Sequence, residues 1–273
     1  MPKLTTPDRV NLNYTDIGSG RPIVMIHGWP LSGAAFADNT TVFAAAGYRV
    51  ITYDRRGFGQ SGKPRDGYDY DTLAADLDAL LTGLDLHDVA LLGFSMGGGE
   101  VARYLATRGS GRVGAAILSG SICPALCITK DNPDGAMPRE GFQELADACA
   151  ADHAGFVDQF CGWFYSNEQG LTVPEEVRQQ AVEIARQSAP HAAVATILTW
   201  TEDLREDCRR IDVPLLVIHG DGDQNVPLAK SSARMPEYAQ QAQLVVIEGG
   251  PHGINVSHAD QWNAAILSFL AGS

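Results

Sequence analysis

Six short apolar runs recur along the chain, rich in valine, isoleucine and leucine and bounded by glycine, proline or aspartate. They occupy residues 22–27 (PIVMIH), 48–54 (YRVITYD), 89–94 (VALLGF), 113–118 (VGAAIL), 214–219 (PLLVIH) and 243–248 (QLVVIE). None alternates apolar with polar positions, so each predicts a strand buried on both faces of a parallel sheet. Helical spacing fills the gaps. Leu73, Leu77, Leu80, Leu81 and Leu84 fall on one stripe of 71–84, and Val101, Tyr104 and Leu105 on one stripe of 98–108. Ala259–Leu270 repeats the pattern with Trp262, Ile266, Leu267, Phe269 and Leu270. Strand alternating with helix predicts an α/β architecture, a mostly parallel doubly wound sheet with right-handed crossovers.

Residues 121–210 break that alternation. They offer no strand, only helix-like stretches near 142–151, 154–164, 175–188 and 192–202. A plain crossover needs far fewer residues. The expected organisation is therefore a core from 1–120 and 211–273, with 121–210 inserted as a helical cap.

Gly93-Phe94-Ser95-Met96-Gly97 closes one predicted strand and opens a helix. G-x-S-x-G carries meaning in that setting, because the flanking glycines let the backbone turn sharply and lift one side chain out of the sheet. A serine there is a candidate nucleophile at a helix N-terminus, where free N–H groups favour a developing oxyanion. It needs a base, and the base needs an orienting acid, in the chain order serine, acid, histidine. Of seven histidines, His27 precedes the serine, His87 sits in a surface-type turn, and His153 and His191 fall in the insertion. His219 ends a buried strand, as a satisfied structural histidine would, and His258 begins the last helix. His252, in Gly249-Gly250-Pro251-His252-Gly253, lies in a strand-to-helix loop at the serine's edge of the sheet. Asp223 and Asp221 share the loop after 214–219. Asp223 is the expected acid because it is nearer the loop tip, with Asp221 as the fallback. Backbone N–H groups of Met96 and Trp29 are the expected oxyanion donors.

Other motifs read as structural. Asp54-Arg55-Arg56-Gly57 follows a strand and is expected to tie loops together beside the serine turn. Gly18-Ser19-Gly20 lacks the lysine and hydroxyl residue of a phosphate loop, and no dinucleotide-binding pattern follows the first strand.

Charge narrows the partners. Thirty-three acidic residues against 20 basic give −13 at neutral pH, which argues against nucleic acid and anionic membrane surfaces. Five cysteines without a secretory context read as free thiols. No apolar run is long enough to span a membrane, and the N-terminus has no signal-type apolar stretch. A cytoplasmic protein is expected.

Taken together, His27-Gly28-Trp29-Pro30, Asp54-Arg55-Arg56-Gly57-Phe58-Gly59-Gln60-Ser61, Gly93 to Tyr104, His219-Gly220-Asp221-Gly222-Asp223 with Val226-Pro227, and Pro251-His252-Gly253 resemble the α/β-hydrolase superfamily. Within it, the chain resembles the cofactor-free bacterial haloperoxidases (perhydrolases) and aryl esterases. The resemblance implies an enzyme with Ser95, Asp223 and His252 as triad and Trp29 and Met96 as oxyanion donors. It implies no metal, haem or other cofactor, a small-molecule ester or acid as substrate, and, from the family alone, a homo-oligomer. Trp29-Pro30 resembles the perhydrolase side, where the Trp29 carbonyl would accept a hydrogen bond from peroxide attacking an acyl-enzyme. Pro30, Ile122, Leu126, Phe142, Phe160, Trp163, Phe164 and Val226 are the expected pocket residues. The rivals are a lactonase or γ-lactamase using the same triad, and a non-catalytic binding protein on the same scaffold. A haloalkane dehalogenase or epoxide hydrolase would need a carboxylate where Ser95 stands.

Overall fold

The computed structural model describes residues 2–273. Its sheet contains β1 (Lys3–Thr5), β2 (Asn11–Gly18), β3 (Pro22–Ile26), β4 (Arg49–Tyr53), β5 (Val89–Phe94), β6 (Val113–Ser119), β7 (Leu215–Gly220) and β8 (Ala242–Ile247). Their spatial order is β1-β2-β4-β3-β5-β6-β7-β8. β2 runs antiparallel to β1 and β4, and all other neighbours are parallel. β5 and β7 are buried throughout, as uninterrupted apolar runs require.

β8 departs from that expectation. Its run is as apolar as the others, yet Leu244 and Val246 are 38% and 45% exposed, because β8 is an edge strand paired only with β7. β1 and β2 left no apolar run to read. β2 is largely polar, and Leu12 is its one fully buried aliphatic side chain.

The helices flanking the sheet are α1 (Ala37–Ala45), α2 (Tyr70–Gly83) and α3 (Met96–Arg108). Asp69 caps α2, its Oδ1 accepting the Thr72 N–H at 2.8 Å. The predicted leucine stripe of α2 is buried at Leu73, Leu77, Leu80 and Leu81. Right-handed crossovers place α1 on one face of the sheet and α2 and α3 on the other, since the chain steps from β3 to β4 in one direction and from β4 back past β3 to β5 and β6 in the other. Between β6 and β7 lie α4 (Arg139–Ala151), α5 (His153–Phe164), α6 (Glu175–Ala185), α7 (Pro190–Thr199) and α8 (Arg205–Arg209). α4 packs on α5 and α7, α5 on α6, and α8 returns to α3. This stretch also holds two ladders that leave no hydrophobic pattern, Cys127–Ile128 with Met137–Pro138 and Ser166–Asn167 with Gly170–Leu171. α9 (Ile254–Ser257) and α10 (Ala259–Leu270) end the chain, α10 packing on α1. All five cysteines are buried and unpaired. No helix of the described residues is long and apolar enough to cross a membrane.

From β3 the chain goes to β4 on one side, and β5 pairs on the other side of β3. The loops leaving the carboxyl ends of β3 and β5 therefore diverge, and a crevice forms between them.

Candidate active site

β5 ends at Phe94 and α3 begins at Met96, leaving Ser95 alone as the turn. Its φ of 55° is unfavourable for a residue with a Cβ. Packing dictates the flanking glycines. A Cβ on Gly93 would lie 2.4 Å from the Gly97 carbonyl oxygen, and one on Gly97 2.6 Å from that of Ile26. The Ser95 N–H donates to the Ser119 carbonyl at 2.8 Å, which pins the turn to β6.

Three loops converge on this turn. His252, between β8 and α9, places Nε2 2.9 Å from Ser95 Oγ. Its Nδ1 lies 2.6 Å from Asp223 Oδ2, in the loop after β7. Asp223 Oδ1 accepts the N–H groups of Asn225 and Val226 at 2.9 and 2.8 Å. Burial alone would push this carboxyl up, but His252 and His219 beside it hold it well below the usual carboxylate range. A carboxylate so fixed makes Nδ1 of His252 the donor and leaves Nε2 free to accept from Ser95. Asp221, the fallback acid, is exposed and accepts the Gly249 N–H at 2.6 Å.

His219 does more than fill the core. Its Nε2 lies 2.8 Å from the Val226 carbonyl and 3.1 Å from Asp223 Oδ2. Both partners only accept, so Nε2 carries the proton, and Nδ1 accepts from the Ser232 hydroxyl at 2.7 Å. Asp223 Oδ2 is thus held by two imidazoles. Residue order conceals the second one, because His219 lies near the end of β7, four residues before Asp223.

The loop after β3 passes close to the serine: a Cβ on Gly28 would lie 3.0 Å from Ser95 Cβ. Neither the Trp29 nor the Met96 N–H donates to another protein group among the described residues. His27 secures this loop. Its Nδ1 donates to the Gly28 carbonyl at 2.9 Å and its Nε2 accepts the Arg55 N–H at 3.0 Å. Burial, aided by the nearby Arg55 charge, keeps that imidazole neutral. The Arg55 guanidinium donates to the His27 carbonyl at 2.7 Å and pairs with Glu100 of α3, which also accepts from Tyr53 at 2.6 Å. Arg56 forks onto Asp76 with two 2.6 Å bonds. Both arginines therefore have the loop-tying role expected of them. Arg55 and Glu100 are 1% and 0% exposed, so Glu100→Leu strands a buried cation. That variant is expected to lose about 3–5 kcal/mol and to melt on the order of 10 °C lower in thermal unfolding. A loss of only a degree or two would show that the pair does not hold the two elements together.

Ser95 and His252 open on a cavity of about 330 Å³. Of the expected pocket residues, Ile122, Leu126, Phe142, Phe160, Trp163 and Val226 line it, together with Trp29. Two expected residues do not. Pro30 is buried outside the lining. Phe164 turns its ring onto His252, with centroids 4.8 Å apart, and so backs the imidazole instead of facing the cavity. Residues not anticipated include Met137, Leu145, Trp200, Gln224 and Asn225. Nothing in their local sequence distinguishes them from core or loop positions. No lysine, arginine, aspartate or glutamate lines the cavity, so it suits a small uncharged molecule.

Residues 21–259 match the family described as the alpha/beta hydrolase fold. The chain is 44% identical over 263 residues to a putative non-heme chloroperoxidase of Synechocystis sp., covering 96% of this chain and 95% of that one. It is 33% identical to a bifunctional esterase/perhydrolase of Acinetobacter calcoaceticus, covering 98% of each. The crystal structure of a bromoperoxidase from Bacillus anthracis superposes with a TM-score of 0.96 at 38% identity, covering 99% of both chains.

Proposed function

The chain belongs to the α/β-hydrolase family, and from that premise we propose that it hydrolyses small uncharged carboxylic esters through an acyl-enzyme on Ser95. Hydrogen peroxide competing with water would turn the same intermediate into a peracid. The observation that carries this reading is the hydrogen-bonded series Asp223–His252–Ser95 beside an uncharged cavity. The helices within 121–210 serve as its cap, and the names of the relatives, peroxidase and esterase alike, fit one acyl-enzyme with two fates.

Ser95 Oγ attacks the ester carbonyl while His252 Nε2 takes its proton. The carbonyl oxygen becomes an oxyanion held by the Trp29 and Met96 N–H groups. Collapse breaks the bond to the alcohol oxygen, which receives the proton from His252. Water then attacks the acyl-enzyme, losing a proton to His252, and Ser95 regains it as the acid leaves. With hydrogen peroxide as nucleophile the product is a peracid, which transfers its terminal OH oxygen to bromide, giving hypobromous acid and the carboxylate. Asp223 stays ionised throughout and stabilises the imidazolium.

Hydrolysis of p-nitrophenyl acetate, blocked by a serine-reactive phosphonate that labels Ser95, tests the reading. Turnover that survives complete labelling would reject it. Peroxide partitioning is tested separately at Trp29-Pro30. Proline fixes φ and so constrains the preceding carbonyl, the group assigned here as acceptor for the second peroxide hydrogen. Pro30→Leu is expected to lower the ratio of perhydrolysis to hydrolysis about tenfold, a differential of ~1.4 kcal/mol. An unchanged ratio would remove the carbonyl from the scheme.

A further inference from the structure

The peracid route puts an oxidant inside the protein, and the side chains it meets there decide what else is oxidised. A peracid formed on Ser95 starts in the cavity of about 330 Å³, and in so small a space it encounters the walls before it escapes. Sulfur is the side-chain element most open to such an oxidant, because its lone pair is polarizable. None of the five cysteines lines the cavity, and all five are buried. Burial pushes the Cys149 thiol up to about 11 and the Cys161 thiol up to about 12, and a protonated thiol is a poor nucleophile. Met25, Met96 and Met235 are 0% exposed and lie outside the lining. Met137 is different. It is partly exposed, and it lines the cavity together with Ser95 and His252.

The Met137 sulfur is placed against α4. Its backbone N–H lies 3.4 Å from the Leu126 carbonyl oxygen, just ahead of that helix. Its Sδ lies 3.0 Å from the point that a Cβ on Gly141 would occupy. Gly141 and Leu145, four residues apart, share one face of α4, and both Leu145 and Phe142 line the cavity. Glycine at 141 leaves room on that side of the helix, and the thioether fills it.

We propose that Met137 is the residue through which a peracid made on Ser95 inactivates its own enzyme, by oxidation of the thioether to the sulfoxide within the cavity. This rests on the peracid half of the reading above and extends it to a modification site. In the step, the sulfur lone pair attacks the terminal peroxy oxygen and the O–O bond breaks. The oxygen stays on sulfur, which is oxidised by two electrons, and its proton passes to the departing carboxylate. The products are methionine sulfoxide and the carboxylic acid. A polar S=O then stands beside Phe142 and Leu145 on an apolar wall, where an ester chain would otherwise pack. Methionine sulfoxide reductases reverse such a lesion.

The test separates peracid met in the cavity from peracid met in solution. Isotope-labelled Ser95→Ala and unlabelled wild type are incubated together with ethyl acetate and hydrogen peroxide, without halide. Sulfoxide at Met137 is then followed in each chain by peptide mass. Both chains share one solution, so any difference between them is oxidation by peracid that had not yet left the cavity that made it. Met137 sulfoxide is expected to build up about tenfold faster in the wild-type chain, the advantage of an oxidant delivered at its target. Equal rates in the two chains overturn the proposal. The second readout is inactivation. After equal peracid output, Met137→Leu is expected to keep a several-fold larger fraction of its own initial p-nitrophenyl acetate activity than the wild type keeps. Equal fractions overturn the proposal as well. The co-incubation needs no change at 137, so it decides the matter even if Met137→Leu does not fold. Peracid output is measured in parallel samples by bromination of an indicator with bromide added. Ester hydrolysis without any bromination would instead remove the perhydrolase half of the reading, and this inference with it.

Discussion

Ser95→Ala is expected to abolish ester hydrolysis, by on the order of 10⁶-fold in kcat where binding and oxyanion stabilisation are retained, with the fold intact. The side chain of Ser95 makes one protein hydrogen bond, to His252 Nε2 at 2.9 Å. The turn itself is held through the backbone, by the Ser95 N–H on the Ser119 carbonyl and the Gly98 N–H on that of Ser95. Alanine keeps the Cβ and the same φ restriction, so the elbow has no reason to relax. Circular dichroism and melting temperature should therefore match the wild type while p-nitrophenyl acetate turnover and peracid formation disappear together. Joint loss is the sensitive part, because both reactions pass through one acyl-enzyme. Bromination that persists in Ser95→Ala would mean that the peroxide chemistry runs elsewhere in the molecule.

Asp223→Asn is expected to lower kcat about 10⁴-fold, while Asp221→Asn leaves it nearly unchanged. The asymmetry follows from the partners. Two backbone N–H groups bind Asp223 Oδ1, so an asparagine would keep its carbonyl oxygen there and put its NH₂ at the Oδ2 position. That NH₂ would face the Nδ1 of His252 and the Nε2–H of His219, both donors in the wild type. His252 escapes the clash by moving its proton to Nε2, and it then can no longer take the proton of Ser95. His219 has no such escape, since its Nε2–H is also engaged by the Val226 carbonyl, so Asp223→Asn should be less stable as well. Asparagine at 221 still offers an oxygen to the Gly249 N–H, on an exposed loop where little depends on charge. Paired kinetics on the two variants check the assignment. A larger loss at 221 than at 223 would transfer the acid to Asp221.

What could be read along the chain was whatever is enforced by local sterics or by a periodic pattern. The buried parallel strands showed as unbroken apolar runs, because every side chain of such a strand meets a covered face. The serine elbow showed because only glycine fits where the backbones of Gly93 and Gly97, and of Gly97 and Ile26, approach each other. His252 followed from the position of its loop after the last strand. Tertiary structure alone decided the rest. β2 contributes little to the core, so its polar sequence concealed it, and β8 looks like a core strand but lies at the edge with a single neighbour. The direction of Phe164, onto the imidazole instead of into the cavity, depends on how α5 is rotated against the loop of His252. The grip of His219 on Asp223 and the pairing of Arg55 with a glutamate 45 residues later depend equally on distant elements meeting. Local composition specifies which backbone conformations and buried faces are available. Which polar atoms then find partners is settled only when segments remote in sequence pack together, because a hydrogen bond depends on a few tenths of an ångström that no spacing rule transmits.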